Sequence, residues 1–122
     1  MKHQLVILIF AAIVTLFTAC HRNDNFTTEK WKSGDGLQFP LRNEILDDLI
    51  KTHPLKGMTY KQVQHLLSYP DGRDSVSFYY QIIETYNNLG KRKYIKNLVL
   101  YMKKDSVITG FKVVEKSFKK PE

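Results

Sequence analysis

Apolar residues run unbroken near the start of the chain, recur with a helical period in its middle and alternate with polar residues toward its end. After Lys2 comes an uncharged stretch over residues 5–17, LVILIFAAIVTLF. Residues 21–39 hold no period; Asn, Asp, Thr, Ser and Gly prevail, and Gly34-Asp35-Gly36 marks a turn. Leu41, Ile45 and Leu49, with Leu46 and Ile50 beside them, then form one stripe that predicts a helix over 41–53. Pro40 suits its first turn and Pro54 ends it, because the residue before a proline is pushed out of the α region. Arg42, Glu44, Asp47, Asp48 and Lys51 fall mostly on the other, solvated side.

A second helix has a sharper start signal. Thr59 and Gln62 have the spacing of a capping box, and Met58 and Val63 that of a hydrophobic staple. Val63, Leu66 and Leu67 are its expected buried face, and Tyr69-Pro70-Asp71-Gly72 turns the chain. From residue 76 the period becomes two. Val76, Phe78, Tyr80 and Ile82 are expected on one face of a strand, with Ser77, Tyr79 and Gln81 on the other. A polar loop over 85–93, a second strand over 94–102 with Leu98, Leu100 and Met102 or the alternate set inward, and a tight connection over 103–106 follow. A third strand over 107–114 should place Val107, Thr109, Phe111 and Val113 together, before a charged tail over 117–122. The predicted class is α+β: two short helices packed on a three-stranded antiparallel sheet, with the domain over 40–116.

The apolar run ends Phe17-Thr18-Ala19-Cys20, and Cys20 is the only cysteine. A basic start, an apolar core of about 7–15 residues and small residues before a cut describe a signal peptide. With Cys20 immediately after Ala19, residues 1–19 resemble a bacterial lipoprotein signal, which implies lipid on Cys20, cleavage before it and a membrane anchor. Thr18 and Ala19 match that pattern, and Phe17 stands where a smaller aliphatic residue is usual. Thirteen apolar residues are too few for a transmembrane helix, which needs about 20. His21, rather than Asp, follows the cysteine, which resembles outer-membrane sorting. Residues 20–39 read as a flexible tether, with Phe26 and Trp31 free either to dock on the domain or to touch the membrane interface.

Charge and chemistry change this picture little. The net charge is +7, and removal of residues 1–19 takes out Lys2 alone. Basic residues are dispersed, with no nucleic-acid module, so no nucleic-acid partner is expected. No catalytic set stands out. His21, His53 and His65 are scattered, Asp47 and Asp48 diverge as helix neighbours, and Ser68, Ser75 and Ser77 have no evident relay. The expectation is a non-enzymatic protein with no cofactor and no metal site. The tyrosines concentrate in the sheet half, where high strand propensity is the plainer explanation. Tyr79 and Tyr101, each alternating against a core set, are the candidate binding face.

Residues 55–71, LKGMTYKQVQHLLSYPD, are similar to the "GMT-x-x-x-V-x-x-L-L-G-x-P-D" signature of the SmpA/OmlA (BamE-like) outer-membrane lipoproteins. Residues 78–80, 98–101 and 107–111 resemble that family's sheet, so the likeness covers about 41–114. Ser68 stands where the family has Gly. The resemblance implies an ααβββ domain facing the periplasm from the outer membrane. It also implies a scaffold role in outer-membrane protein assembly or envelope integrity, with an envelope protein as partner. The shape is also similar to that of β-lactamase inhibitory proteins, which leaves a periplasmic inhibitor or ligand-binding module using the exposed sheet face as the alternative.

Overall fold

The computed structural model describes residues 24–118; Cys20 and the apolar run before it lie outside the described residues. Helix α1 spans Thr28–Lys32, α2 Arg42–Thr52 and α3 Tyr60–Leu67. The apolar stripe of α2 does what its spacing predicts: Ile45, Leu46 and Leu49 are buried. Helix α3 starts at the predicted cap. The Thr59 Oγ1 accepts from the Gln62 amide at 3.2 Å, and the Gln62 Oε1 accepts from the Thr59 amide at 2.9 Å. A cap of this kind is worth about 1 kcal/mol. Gly57, at φ +96°, turns the chain into this cap, and its amide donates to the Ile108 carbonyl at 2.8 Å.

The sheet is antiparallel in the order β1-β2-β3-β4, with β1 Gly72–Arg73, β2 Ser77–Tyr86, β3 Arg92–Met102 and β4 Ile108–Ser117. It therefore has four strands among the described residues, where three were expected. The added strand is a two-residue edge pairing Gly72 with Tyr79 and Arg73 with Phe78. The β2–β3 loop is also shorter than predicted, because the strands run on to Tyr86 and from Arg92. The Asn87 side chain closes it by accepting from the Leu89 and Lys91 amides.

The helices cover one face of the sheet, where Phe78, Tyr80, Ile82, Leu98, Leu100 and Met102 are buried. Two of the expected shared faces are broken. Val76 is 60% exposed, lying before β2 begins. In β4 the buried residue is Ile108 rather than Val107 or Thr109, because a bulge shifts the register between Tyr101 and Met102. One extra residue reverses which face each side chain takes, so Ile108 opposes Met102 while Phe111 and Val113 oppose Leu100 and Leu98.

The largest departure concerns the expected tether. Trp31 on α1 is wholly buried, with its ring edge-on to Tyr80 at 5.9 Å and to Phe26 at 6.1 Å. The Phe26 amide donates to the Asp48 carboxylate at 2.6 Å, and the Phe26 ring packs on His53 at 5.0 Å. Of the two fates open to these aromatics, the structure has them docked. The folded body thus takes in residues assigned by pattern to the 20–39 tether.

Arg42 is the second departure. Assigned to the solvated side of α2, it is 2% exposed. Its Nε donates to the Trp31 carbonyl at 2.9 Å, and its Nη1 donates to Asp71 at 3.1 Å and to the Gln81 carbonyl at 2.8 Å. The guanidinium lies 3.5 Å from the centre of the Phe39 ring. Burial pulls its pKa below the ordinary value, and the Asp71 charge opposes that pull. One side chain thus joins α1, α2, the turn before β1 and strand β2. Removing Asp71 leaves the buried guanidinium without its counter-charge, a change that costs up to about 3–5 kcal/mol in buried pairs and less here because the Asp71 side chain is a quarter exposed.

Candidate functional site

The face of the sheet turned away from the helices carries both tyrosines singled out by sequence. Directly opposed residues share a face, so the register sets Ser77, Tyr101 and Gly110 in one row and Tyr79, Val99 and Lys112 in the next. Gln81, Asn97 and Val114 form a third row. Tyr79 and Tyr101 stand on adjacent strands in neighbouring rows, 38% and 41% exposed. Val99 and Val114 are half-buried beside them and Lys112 is exposed. The result is a mixed aromatic, aliphatic and cationic surface, with Lys116 continuing it one row beyond Val114. Such a surface offers apolar area with polar hydroxyl tips, the chemistry of protein-binding patches.

The two rings differ in what they do for the fold. Each stands opposite a glycine, Tyr79 against Gly72 and Tyr101 against Gly110. The Tyr79 ring lies over Gly72, where an added Cβ would come within 2.3 Å of it. Gly72 therefore makes room for the ring, and the ring shields β1. Nothing lies within 4 Å of the corresponding position at Gly110, so the Tyr101 ring does not cover its glycine. Tyr101 is the freer of the two.

The other residues weighed from sequence do not converge. Asp48 is spent on the Phe26 amide, whereas Asp47 is exposed. The Ser77 hydroxyl donates to Asp74, which also accepts from the Val76 and Ser77 amides; these bonds hold the Asp74 carboxyl below its usual range. Ser68 has φ +71° and ψ −169°, a region nearly reserved for glycine. Its carbonyl accepts from the Tyr80 hydroxyl at 2.8 Å, and burial raises the pKa of that phenol. His53 contacts Phe26 and Thr52, and His65 lies on α3. No group of three or more His, Cys, Asp or Glu suited to a metal ion exists among the described residues. None of their helices is long and apolar enough to cross a membrane.

No family model, curated protein or solved structure matches this chain. Alternation against Phe78 and Tyr80 separates Tyr79 from the core set, whereas the inward set of the second strand was open by pattern; the structure buries Leu98, Leu100 and Met102 and leaves Tyr101 exposed beside Tyr79. The burial of Arg42 was not foreseen, and the docking of Trp31 was one of two open alternatives. No local pattern signals the Arg42–Asp71 ion pair, whose members stand 29 residues apart.

Proposed function

We propose that this protein is a non-enzymatic binding protein of the bacterial cell envelope, anchored to the outer membrane by lipid on Cys20. Its domain faces the periplasm and engages an envelope protein through the outer face of the sheet. The observation that carries the binding half is the exposure of Tyr79 and Tyr101 side by side on an uncovered face bordered by Lys112. The anchor rests on Cys20 at the end of the apolar run, and the periplasmic scaffold role on the likeness of residues 55–71 to the BamE-like lipoproteins.

The test is a photo-crosslinking amino acid placed in turn at positions 79, 101 and 47 of the full chain in intact cells. Positions 79 and 101 should give a discrete adduct with one envelope protein, and exposed position 47 on α2 should not. Adducts from position 47 alone, or none from the sheet face, would refute the assignment.

A further inference from the structure

The helix layer, on the opposite side of the domain from the tyrosine face, carries a trough of about 780 Å³ between α1 and α3. Pro54, Met58 and Leu66 supply its apolar lining, and the Thr28 hydroxyl, donating to the Leu66 carbonyl at 2.9 Å, ties the two helices across it. Its ionisable lining is all of one kind. Lys32 on α1 and Lys61 on α3 line it, and so do His53 and His65, with no carboxylate among the lining residues. A second depression shares Lys32, Lys61 and His65 and continues to Ser68 and the 76%-exposed Tyr69. The two together follow α3 along its length, about 12 Å at 1.5 Å per residue.

We infer that this trough is a second binding site and that its occupant is a short acidic amphipathic peptide segment of a protein partner. Apolar side chains of the peptide seat against Pro54, Met58 and Leu66, while its carboxylates meet Lys32 and Lys61. This is the helix-in-groove mode of recognition, and the uncompensated cations give it its sign. An anionic bilayer shares that charge chemistry, but a flat surface leaves the floor of a recess between two helices uncovered. The elongated course toward Tyr69 likewise fits a peptide better than a single headgroup. The inference is independent of the lipid on Cys20 and of the tyrosine face.

The probe is a fluorescein-labelled peptide with Leu at i, i+3, i+4 and i+7 and Glu between them, compared with a peptide carrying Gln for Glu. Both are titrated by anisotropy into the full chain. The Glu peptide should bind saturably, and the Gln peptide at least about tenfold more weakly. Lys32→Glu with Lys61→Glu should weaken the Glu peptide by about tenfold or more, since reversal turns two attractive exposed charge pairs into repulsive ones. Lys61→Gln alone should cost about threefold. Lys51→Glu with Lys103→Glu, the same charge change outside the trough, should cost less than about twofold, and circular dichroism should show every variant folded. Equal binding of the two peptides, no saturable binding, or equal losses from the two double variants would overturn the inference. So would sedimentation with phosphatidylglycerol vesicles that the trough variant loses and the Glu peptide does not compete, which assigns the trough to lipid. A dimer dispersed only by the trough variant would overturn it in favour of a second copy of this chain.

Discussion

Replacing Trp31 by Ala tests whether the segment before α2 belongs to the fold. A buried aromatic removes about 150–250 Å² from water, or about 4–6 kcal/mol at ~25 cal/mol per Å². Trp31 is wholly buried, and substitutions of this kind cost about 3–5 kcal/mol. A folded body of this size has about 5–14 kcal/mol in all, so Trp31→Ala should remove a large share of the stability at 25 °C. Trp31→Phe makes a sharper comparison. The Trp31 Nε1–H is buried with no hydrogen-bond partner in the protein, a burden of about 1–3 kcal/mol. Phe keeps most of the ring and removes that donor, so its cost should stay within about 1 kcal/mol.

The assay is urea unfolding followed by far-ultraviolet circular dichroism, because Trp31 is the only tryptophan and its fluorescence disappears with it. With a slope of about 1–1.5 kcal/mol per M, Trp31→Ala should lower the midpoint by about 2–5 M and Trp31→Phe by less than about 1 M. A chain beginning at Pro40 should fail to fold for the same reason. Midpoints of Trp31→Ala and wild type within about 0.3 M of each other would refute the docking of α1.

Three further outcomes are expected. Ser68→Gly relieves the positive-φ backbone before the turn and should raise stability by about 1 kcal/mol, or about 4–8 °C in Tm; a lower Tm would contradict the strain. The Asp74 carboxyl accepts two backbone amides that depress its folded pKa. Its contribution is therefore complete above the unfolded value of about 3.9 and lost as pH falls through the lower folded value. Titration by carboxyl-carbon NMR should give a midpoint below 3.9, and a midpoint at or above it would show the turn unformed. Labelled fatty acid should enter the wild-type protein and not Cys20→Ala, and equal incorporation in both would remove the anchor.

What was legible in the sequence is what neighbours along the chain decide. The Thr59–Gln62 box, the α2 stripe and the alternation through Phe78–Ile82 and Leu98–Met102 are each set within a few residues, and each appears in place. The misses are tertiary. Helix α1 has five residues and no period of its own, so packing of Trp31 rather than propensity holds it. Strand β1 is Gly-Arg, a poor strand former, and exists because Asp71 binds the Gln81 amide and Tyr79 covers Gly72. Arg42 reads as solvated because a charge inside a domain is costly until its acceptors are known, and those lie 11, 29 and 39 residues away. Alternation separates Tyr79 and Tyr101 from their neighbours but leaves open which set of the second strand turns inward, and the α1–α3 trough was not readable at all, since one wall is a helix the pattern does not show.

The central claim is that the exposed sheet face binds, and recovery of the envelope partner by a full chain carrying Tyr79→Ser and Tyr101→Ser tests it most directly. Both rings are more than one third exposed, with only Tyr79 shielding another strand, so the pair should cost about 1–2 kcal/mol and leave the circular dichroism spectrum unchanged. Partner recovery from membranes should fall at least about tenfold, with Tyr101→Ser alone accounting for a large share at almost no cost in Tm. Undiminished recovery by a folded double variant, or outright unfolding of the domain, would contradict the claim.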